Sequence, residues 1–230
     1  MKVSVVIPTI NEAHVIARSI ELAWAAGADE VIVVDGGSSD ATVEICQQNQ
    51  CRLVHSPAGR GIQLNAGAAA ASGDVLLFLH ADNWLVENAI QQLKTLDANN
   101  DQLFGGFRQR IEHTGQVFRW IETGNAWRVQ WRGLVYGDQA MFVSKSLFES
   151  VGGFRAIVLM EDLAFSQHIK KTTKVRPQLL AGPTHVDARR WQETGVARQT
   201  LKNWCLATGY LLGADPNRLA KRYRRHDCKT

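Results

Sequence analysis

The sequence predicts an α/β domain built on a mainly parallel central sheet, and three observations carry that expectation. Short apolar runs, at Val3–Ile7, at the centre of Glu30–Asp35 and at Val75–Leu79, alternate with segments of helical period through the first half. With 230 residues, 45% of them hydrophobic, the chain can bury one sizeable core. The longest apolar runs fall far short of the about 20 residues that a membrane-spanning helix needs. No transmembrane helix is therefore predicted, and Met1-Lys2 leads into an apolar run that Pro8 stops before it reaches signal-peptide length.

Each element follows from local pattern. Val3–Ile7 reads as a buried strand, and Asn11 is expected to cap a helix in which Val15, Ile16 and Ile20 recur until Gly27 ends it. Glu30–Asp35 is a second strand, followed by the turn Gly36-Gly37-Ser38-Ser39-Asp40 and a helix through Val43 and Ile45. Arg52–His55 is a short third strand, and Gly59-Arg60-Gly61 opens an alanine-rich helix. Val75–Leu79 is the fourth strand, and Val86–Leu96 is a helix with Val86, Ile90 and Leu93 on one face.

The second half is less regular. Phe104–Glu112 reads as a strand, and Gly115–Trp131 as an amphipathic helix with Val117, Trp120, Ile121, Gly124, Trp127 and Trp131 on one side. Core packing is the default fate of such a stripe, ahead of an acceptor or membrane surface. Ala140–Val143 and Lys174–Leu180 read as strands, Glu161–Lys171 and Glu193–Leu212 as helices.

Charge is unevenly spread. The net charge is +4, yet residues 1–188 carry 16 Lys and Arg against 19 Asp and Glu, while residues 189–230 carry 10 against 3. A basic C-terminus of this kind can meet anionic lipid, nucleic acid or a diphosphate, and composition does not choose among them. Cys46, Cys51, Cys205 and Cys228 form no C-x-x-C pair and no zinc spacing, and a chain of this length does not need disulfides, so a reducing cytoplasm is the expected location.

In a parallel sheet, ligands bind outside the carboxyl ends of the strands, which directs attention to Thr9, Asp35, His55 and the stretch from His80 to Asp82. Turn acids often only hydrogen-bond nearby backbone, and Asp40 is well placed to cap its helix. Convergence on one sheet edge gives Asp35 and Asp82 a second reading, as oxygen ligands for a polar substrate and a hard divalent cation. His80, one residue from Asp82 across Ala81, is a credible Mn²⁺ ligand and a poor Mg²⁺ one, or else packs at the strand end. Gly59-Arg60-Gly61 can cradle phosphate at a helix start or be an ordinary loop. Glu161-Asp162 follows the apolar stretch Ile157–Met160, a setting suited to a general base, or to a helix cap. Arg189-Arg190-Trp191 can bind a diphosphate or form a solvated basic face.

In order along the chain, these stretches resemble the family 2 glycosyltransferases of the GT-A fold, from Val3 to about Trp191. Val6-Ile7-Pro8-Thr9-Ile10-Asn11-Glu12 is similar to the family's V-I-P-x-x-N-E opening, and Val33-Val34-Asp35-Gly36-Gly37-Ser38-Ser39-Asp40 to its V-V-D-D-G-S-x-D. The run from Gly61 to Gly73 with Asn65-Ala66-Gly67 resembles its R-G-x-x-x-x-x-N-x-G segment, and Leu79-His80-Ala81-Asp82 falls where its D-x-D metal motif sits. Gly152-Gly153-Phe154 followed by Glu161-Asp162 resembles its G-G-F…E-D element, and Arg189-Arg190-Trp191 its Q-x-x-R-W without the leading Gln.

The resemblance implies a single Rossmann-like GT-A domain over residues 1–192, with a nucleotide-binding half (1–97) and an acceptor half (98–192). A C-terminal helical basic extension over residues 193–230 follows. It further implies inverting transfer of a sugar from a nucleoside diphosphate, usually UDP, to an acceptor hydroxyl, with no nucleic-acid partner. Pro8, Thr9, Glu12, Asp35, Arg60 and Ala81 would border the donor nucleotide, and Arg190 and Trp191 the diphosphate. Asp82 and His80 would hold Mn²⁺ or Mg²⁺, Asp162 beside Glu161 would deprotonate the acceptor, and Asp138 and Gln139 would lie on the acceptor side. Two positions depart from the pattern: Gly36 stands for the second Asp of the nucleotide motif, and His80 for the first Asp of D-x-D. These departures keep open a nucleotide-sugar-binding regulatory protein without turnover; a sugar-phosphate nucleotidyltransferase is more distant, because its glycine-rich loop is missing near the first strand. The tail Lys221-Arg222-Tyr223-Arg224-Arg225 adds the expectation of peripheral contact with an anionic membrane.

Overall fold

The computed structural model describes residues 1–96 and 102–222, the Arg222 side chain excepted. The strands are β1 (Val3–Thr9), β2 (Glu30–Asp35), β3 (Arg52–His55), β4 (Val75–Phe78), β5 (Asn83–Leu85), β6 (Phe104–Ile111), β7 (Met141–Ser144) and β8 (Gln178–Val186). The helices are α1 (Ile16–Ala25), α2 (Thr42–Gln48), α3 (Arg60–Ala70), α4 (Ala89–Lys94), α5 (Gln116–Trp127), α6 (Lys145–Ser150), α7 (Glu161–Thr172), α8 (Arg189–Thr194), α9 (Val196–Leu211) and α10 (Pro216–Arg222).

Among the described residues the strands form one sheet in the order β3-β2-β1-β4-β7-β6-β8-β5. Strands β3, β2, β1 and β4 run parallel, β7 is antiparallel to both β4 and β6, and β8 is parallel to β6. Strand alternation divides the interior into two layers. Val3, Val5 and Ile7 with Val31, Val33 and Leu77 meet α1 and α4, whereas Val6, Ile32, Val34 and Phe78 meet α3, α6 and α7. Because both faces are covered there, β1, β2, β4 and β7 are buried almost throughout rather than alternating, whereas the end of β6 alternates, with Arg108 and Arg110 exposed.

Several sequence expectations are corrected. Asn11 does not cap α1, which starts five residues later; it adopts a left-handed conformation (φ 55°) and serves a loop instead. Gly27 does close α1, at φ 101°. Residues 83–85 form a strand that was not expected, a three-residue edge piece paired with β8. The last strand starts at Gln178 and runs on to Val186, and the expected helix over Glu193–Leu212 is two, α8 and α9, broken at Gly195 (φ 87°). Residues Tyr223 to Arg225 of the basic tail lie outside the described residues.

The largest correction concerns the aromatic helix. Phe118 and Ala126 of α5 are buried, and Phe118 and Ile121 pack against Ile111, Val186 and Trp191. Trp120, Trp127 and Trp131 face outward, 78%, 62% and 85% exposed. Polar anchors decide the orientation: Glu122 Oε1 accepts from the Ile111 N–H (2.6 Å), and Asn125 Nδ2 donates to Gln109 Oε1 (2.6 Å). Turning the tryptophans inward would break both bonds and strand their partners, at about 1–3 kcal/mol for each buried polar group left unsatisfied. A single π-helical turn, Arg128–Arg132, continues α5.

Candidate active site

At the carboxyl ends of β1 and β2, Thr9 pairs with Asp35. The buried Asp35 carboxylate organises the turn after it, accepting from the Gly37 N–H (2.9 Å) and the Ser38 hydroxyl (2.5 Å), with His55 Nδ1 3.7 Å away. Two loops are stitched together here. The Asn11 N–H donates to Ser38 Oγ (2.9 Å), the Ser39 N–H to Asn11 Oδ1 (2.8 Å), and the Glu12 N–H to Thr42 Oγ1 (2.9 Å). Gly36 is explained by space: a Cβ there would lie 2.8 Å from the Ile10 side chain and 2.9 Å from Gln63 Nε2. Gln63 is committed to that spot, donating to the carbonyls of Thr9 and Val34 (2.9 Å each). The Thr9 hydroxyl, in contrast, is buried and has no hydrogen-bond partner among the described residues, although buried polar groups are normally paired.

One turn before Gln63 on the same helix, Arg60 enters a cavity beyond the end of β4. Arg60 Nε lies 3.6 Å from the buried Glu161, at the start of α7. The neighbouring Asp162 is fixed by two backbone donors, Gly137 N–H to Oδ2 (2.6 Å) and Leu163 N–H to Oδ1 (2.7 Å). Position 137 must be glycine for this: a Cβ would stand 2.7 Å from His80 Nε2 and 3.3 Å from Asp162 Oδ2. In the same cavity Arg190 Nη2 comes within 4.0 Å of Asp82 Oδ2, both side chains partly exposed. Trp191, mostly buried, packs edge-on to Phe118 and donates its indole N–H to Thr200 (3.2 Å).

Beneath the acids lies a buried cation. Arg128, from the π-helical turn, stacks on Tyr136 (3.4 Å to the ring centroid) and donates to Gln139 Oε1 (2.6 Å) and Asn125 Oδ1 (3.2 Å). Asp138 opens onto the cavity, but its Oδ1 is shielded from solvent and has no hydrogen-bond partner among the described residues. Burial pushes the Asp138 carboxyl above the usual range; Arg128 opposes the rise and Asp162 adds to it.

The structure thus gathers Arg60, His80, Asp82 and Asp138 with Glu161, Asp162, Arg190 and Trp191 around one cavity. Pro8, Thr9, Glu12 and Asp35 belong to the neighbouring rim, linked to the cavity through α3. Two of the expected residues, Ala81 and Gln139, do not line the cavity. Ala81 packs in the core with its carbonyl bound by Ser19, and Gln139 is fully buried, holding Arg128 and the Tyr136 N–H. Sequence reasoning missed Asn83 and Tyr136, and also the wall that α9 supplies through Gln199, Asn203, Leu206 and Ala207. The i, i+4 spacing of Gln199, Asn203 and Ala207 was a readable signal of one helix face.

Among the described residues no three His, Cys, Asp or Glu side chains converge as a metal cage. Asp82 offers one carboxylate beside solvent, while His80 Nε2 turns toward Gly137. Such a donor set is too small for a resident ion and suits a divalent cation that arrives with phosphates, since Mg²⁺-type sites commonly use one or two carboxylates plus substrate oxygens.

The family model described as glycosyl transferase family 2 matches residues 4–159. The chain belongs to glycosyltransferase family 2. This family member is 32% identical over 155 residues to an uncharacterized glycosyltransferase of Nostoc sp., covering 55% of this chain and 48% of that one. It is 27% identical over 164 residues to the PGL/p-HBAD biosynthesis glycosyltransferase of Mycobacterium tuberculosis, covering 66% and 62%. It therefore spans about half to three-fifths of the length of these relatives. Its fold is GT-A, like that of the mannosyltransferase PcManGT from Pyrobaculum calidifontis in complex with GDP-Man and Mn²⁺ (TM-score 0.65, 17% identity, 97% of this chain and 65% of that one). It also matches S. aureus TarS 1-349 in complex with UDP-GlcNAc (TM-score 0.61, 17% identity, 81% and 58%).

Proposed function

We propose that this family 2 glycosyltransferase moves a sugar from a nucleoside diphosphate sugar, UDP in first place, to an acceptor hydroxyl with inversion. The observation that carries this reading is that Asp162 and the Asp82–Arg190 pair line a single cavity. The rim where β1 and β2 end, at Thr9 and Asp35, takes the nucleoside. Arg60, Arg190 and Trp191 line the diphosphate side, where guanidinium groups can meet the departing charge as it develops. A divalent cation held by Asp82, with His80 on the same rim, would add Lewis-acid stabilisation of that leaving group.

Asp162 is the base. Its carboxylate is aimed by the N–H groups of Gly137 and Leu163, so it can accept the acceptor's proton without first reorienting. Attack from that side, opposite the leaving diphosphate, inverts the anomeric centre. Asp138 and the α9 side chains Gln199 and Asn203 supply polar groups for the acceptor.

The test is thermal stabilisation by UDP, GDP, CDP and ADP, each with Mn²⁺, Mg²⁺ or EDTA, since a ligand bound only to the folded state raises Tm by mass action. A shift with one diphosphate that EDTA abolishes is expected. No shift with any of them overturns the donor assignment.

A further inference from the structure

We propose that the outward face of α5 and its π-helical extension is a docking surface for an anionic lipid bilayer. The inference is independent of the transferase reading and starts from an anomaly: a globular chain normally buries large aromatic rings, and this one presents three on one face. Val117, Trp120, Trp127 and Trp131 recur at spacings of three, seven and four, with Gly124 between them, and nothing described comes within 4 Å of a side chain built there. The exposure runs from 49% at Val117 to 85% at Trp131. The inner face is fixed by Phe118, Glu122 and Asn125, so the helix cannot roll to hide the rings.

Charge selects the occupant. Where the stripe ends, Lys170 Nζ donates to the Arg132 carbonyl (2.7 Å), and Lys170 and Pro177 flank Gly133. The strand entry beside Trp131 therefore carries exposed Arg132, Lys170, Lys171, Lys174 and Arg176. Between Glu122 and Asp138, and again between Asp162 and Asp187, the sequence has no acid at all. Tryptophan rings seated at the headgroup level with cations beside them are the chemistry of an interfacial helix. A second protein would more often meet aromatic anchors with a closed apolar core and few charges, whereas anionic headgroups match both the rings and the cations. No described helix is long and apolar enough to cross a membrane, so the contact is peripheral.

The experiment is co-sedimentation of the full chain with vesicles of phosphatidylglycerol and phosphatidylcholine, and of phosphatidylcholine alone, at about 0.15 M salt. Three proteins are compared with wild type: Trp120→Ser/Trp127→Ser/Trp131→Ser, Lys170→Glu/Lys171→Glu/Lys174→Glu, and a truncation after Pro216. Circular dichroism and a cooperative thermal melt confirm that each variant is folded. Wild type is expected to pellet with the anionic vesicles, with its tryptophan emission quenched by brominated lipid. Either triple variant should partition at least about tenfold less. Pelleting that survives the tryptophan changes and disappears only on truncation assigns the contact to the tail and overturns the proposal. Absence of pelleting, or a wild-type dimer that the tryptophan variant dissolves without any vesicle binding, overturns it as well.

Discussion

At the scale of single residues, the two acids with proposed chemical roles separate experimentally. Asp162→Asn keeps the hydrogen-bond acceptor for Gly137 but removes the basicity, so turnover should fall by about 10²–10⁴-fold with donor affinity retained. Asp82→Ala should instead abolish the metal dependence of donor binding, read as the Tm shift with and without EDTA; an unchanged metal-dependent shift removes Asp82 from that role. Asp138 makes a prediction about pH. Its carboxyl is raised by burial, so the neutral form is favoured in the fold, and stability falls as pH rises from the unfolded value near about 3.9 through the raised folded value. Asp138→Asn should accordingly melt roughly 2–4 °C higher than wild type at neutral pH, with the difference vanishing below about pH 4. Both Asp82 and Asp162 were legible because each sits just after a strand or at a helix start. Arg128 was not: in sequence it is one basic residue in an amphipathic helix, and only the tertiary approach of Tyr136 and Gln139 turns it into the buried cation beneath the acids.

At the scale of elements, the loops beyond β1 and β2 behave as one unit. Asp40 accepts from the Thr42 N–H (3.0 Å) and the Ala13 N–H (3.2 Å), thereby starting α2 and holding the neighbouring loop. Partial burial works against its charge, but hydrogen bonds from Thr42 and Ala13 outweigh it and hold the carboxyl below the usual range. Asp40→Ala should cost about 1 kcal/mol by urea titration, and that loss should disappear in acid as the wild-type carboxylate itself is protonated. The first-half elements were readable because strands covered on both faces are continuously apolar and turns between them are rich in glycine and serine. Two second-half features escaped for physical reasons. Strand β5 is three residues long and exists through its pairing with β8, so no local pattern announces it. The tryptophan stripe has the period of a core-facing helix, but period alone gives the spacing of a face and not what lies against it; Glu122 and Asn125, through their partners on β6, settle that.

At the scale of the whole molecule, the cavity is a joint product of distant segments. Residue 60 comes from one end of the sheet, residues 80–82 from its middle, residues 136–162 from the returning half and residues 199–207 from the C-terminal helix. Leu159, Leu206 and Leu219 form a small cluster of their own, which pins α9 and α10 over the site. The rim proposed for the nucleoside, by contrast, is assembled from residues 8–63 alone. That division explains why the order of motifs in the sequence outlined this rim more fully than the cavity, whose walls come from segments far apart in the chain. The β4–β7 pairing has a temporal consequence. Val75–Phe78 lies at the centre of the finished sheet, yet its partner, residues 141–144, is made more than sixty residues later. Until then a nascent chain has β1 to β4 in place and a bare apolar strand edge, the kind of surface that seeds association between incomplete chains. A fragment ending at Leu96 should therefore form soluble aggregates on light scattering, while the full chain should not. The strand that leads into the cavity thus spends more than sixty residues of synthesis with one edge uncovered.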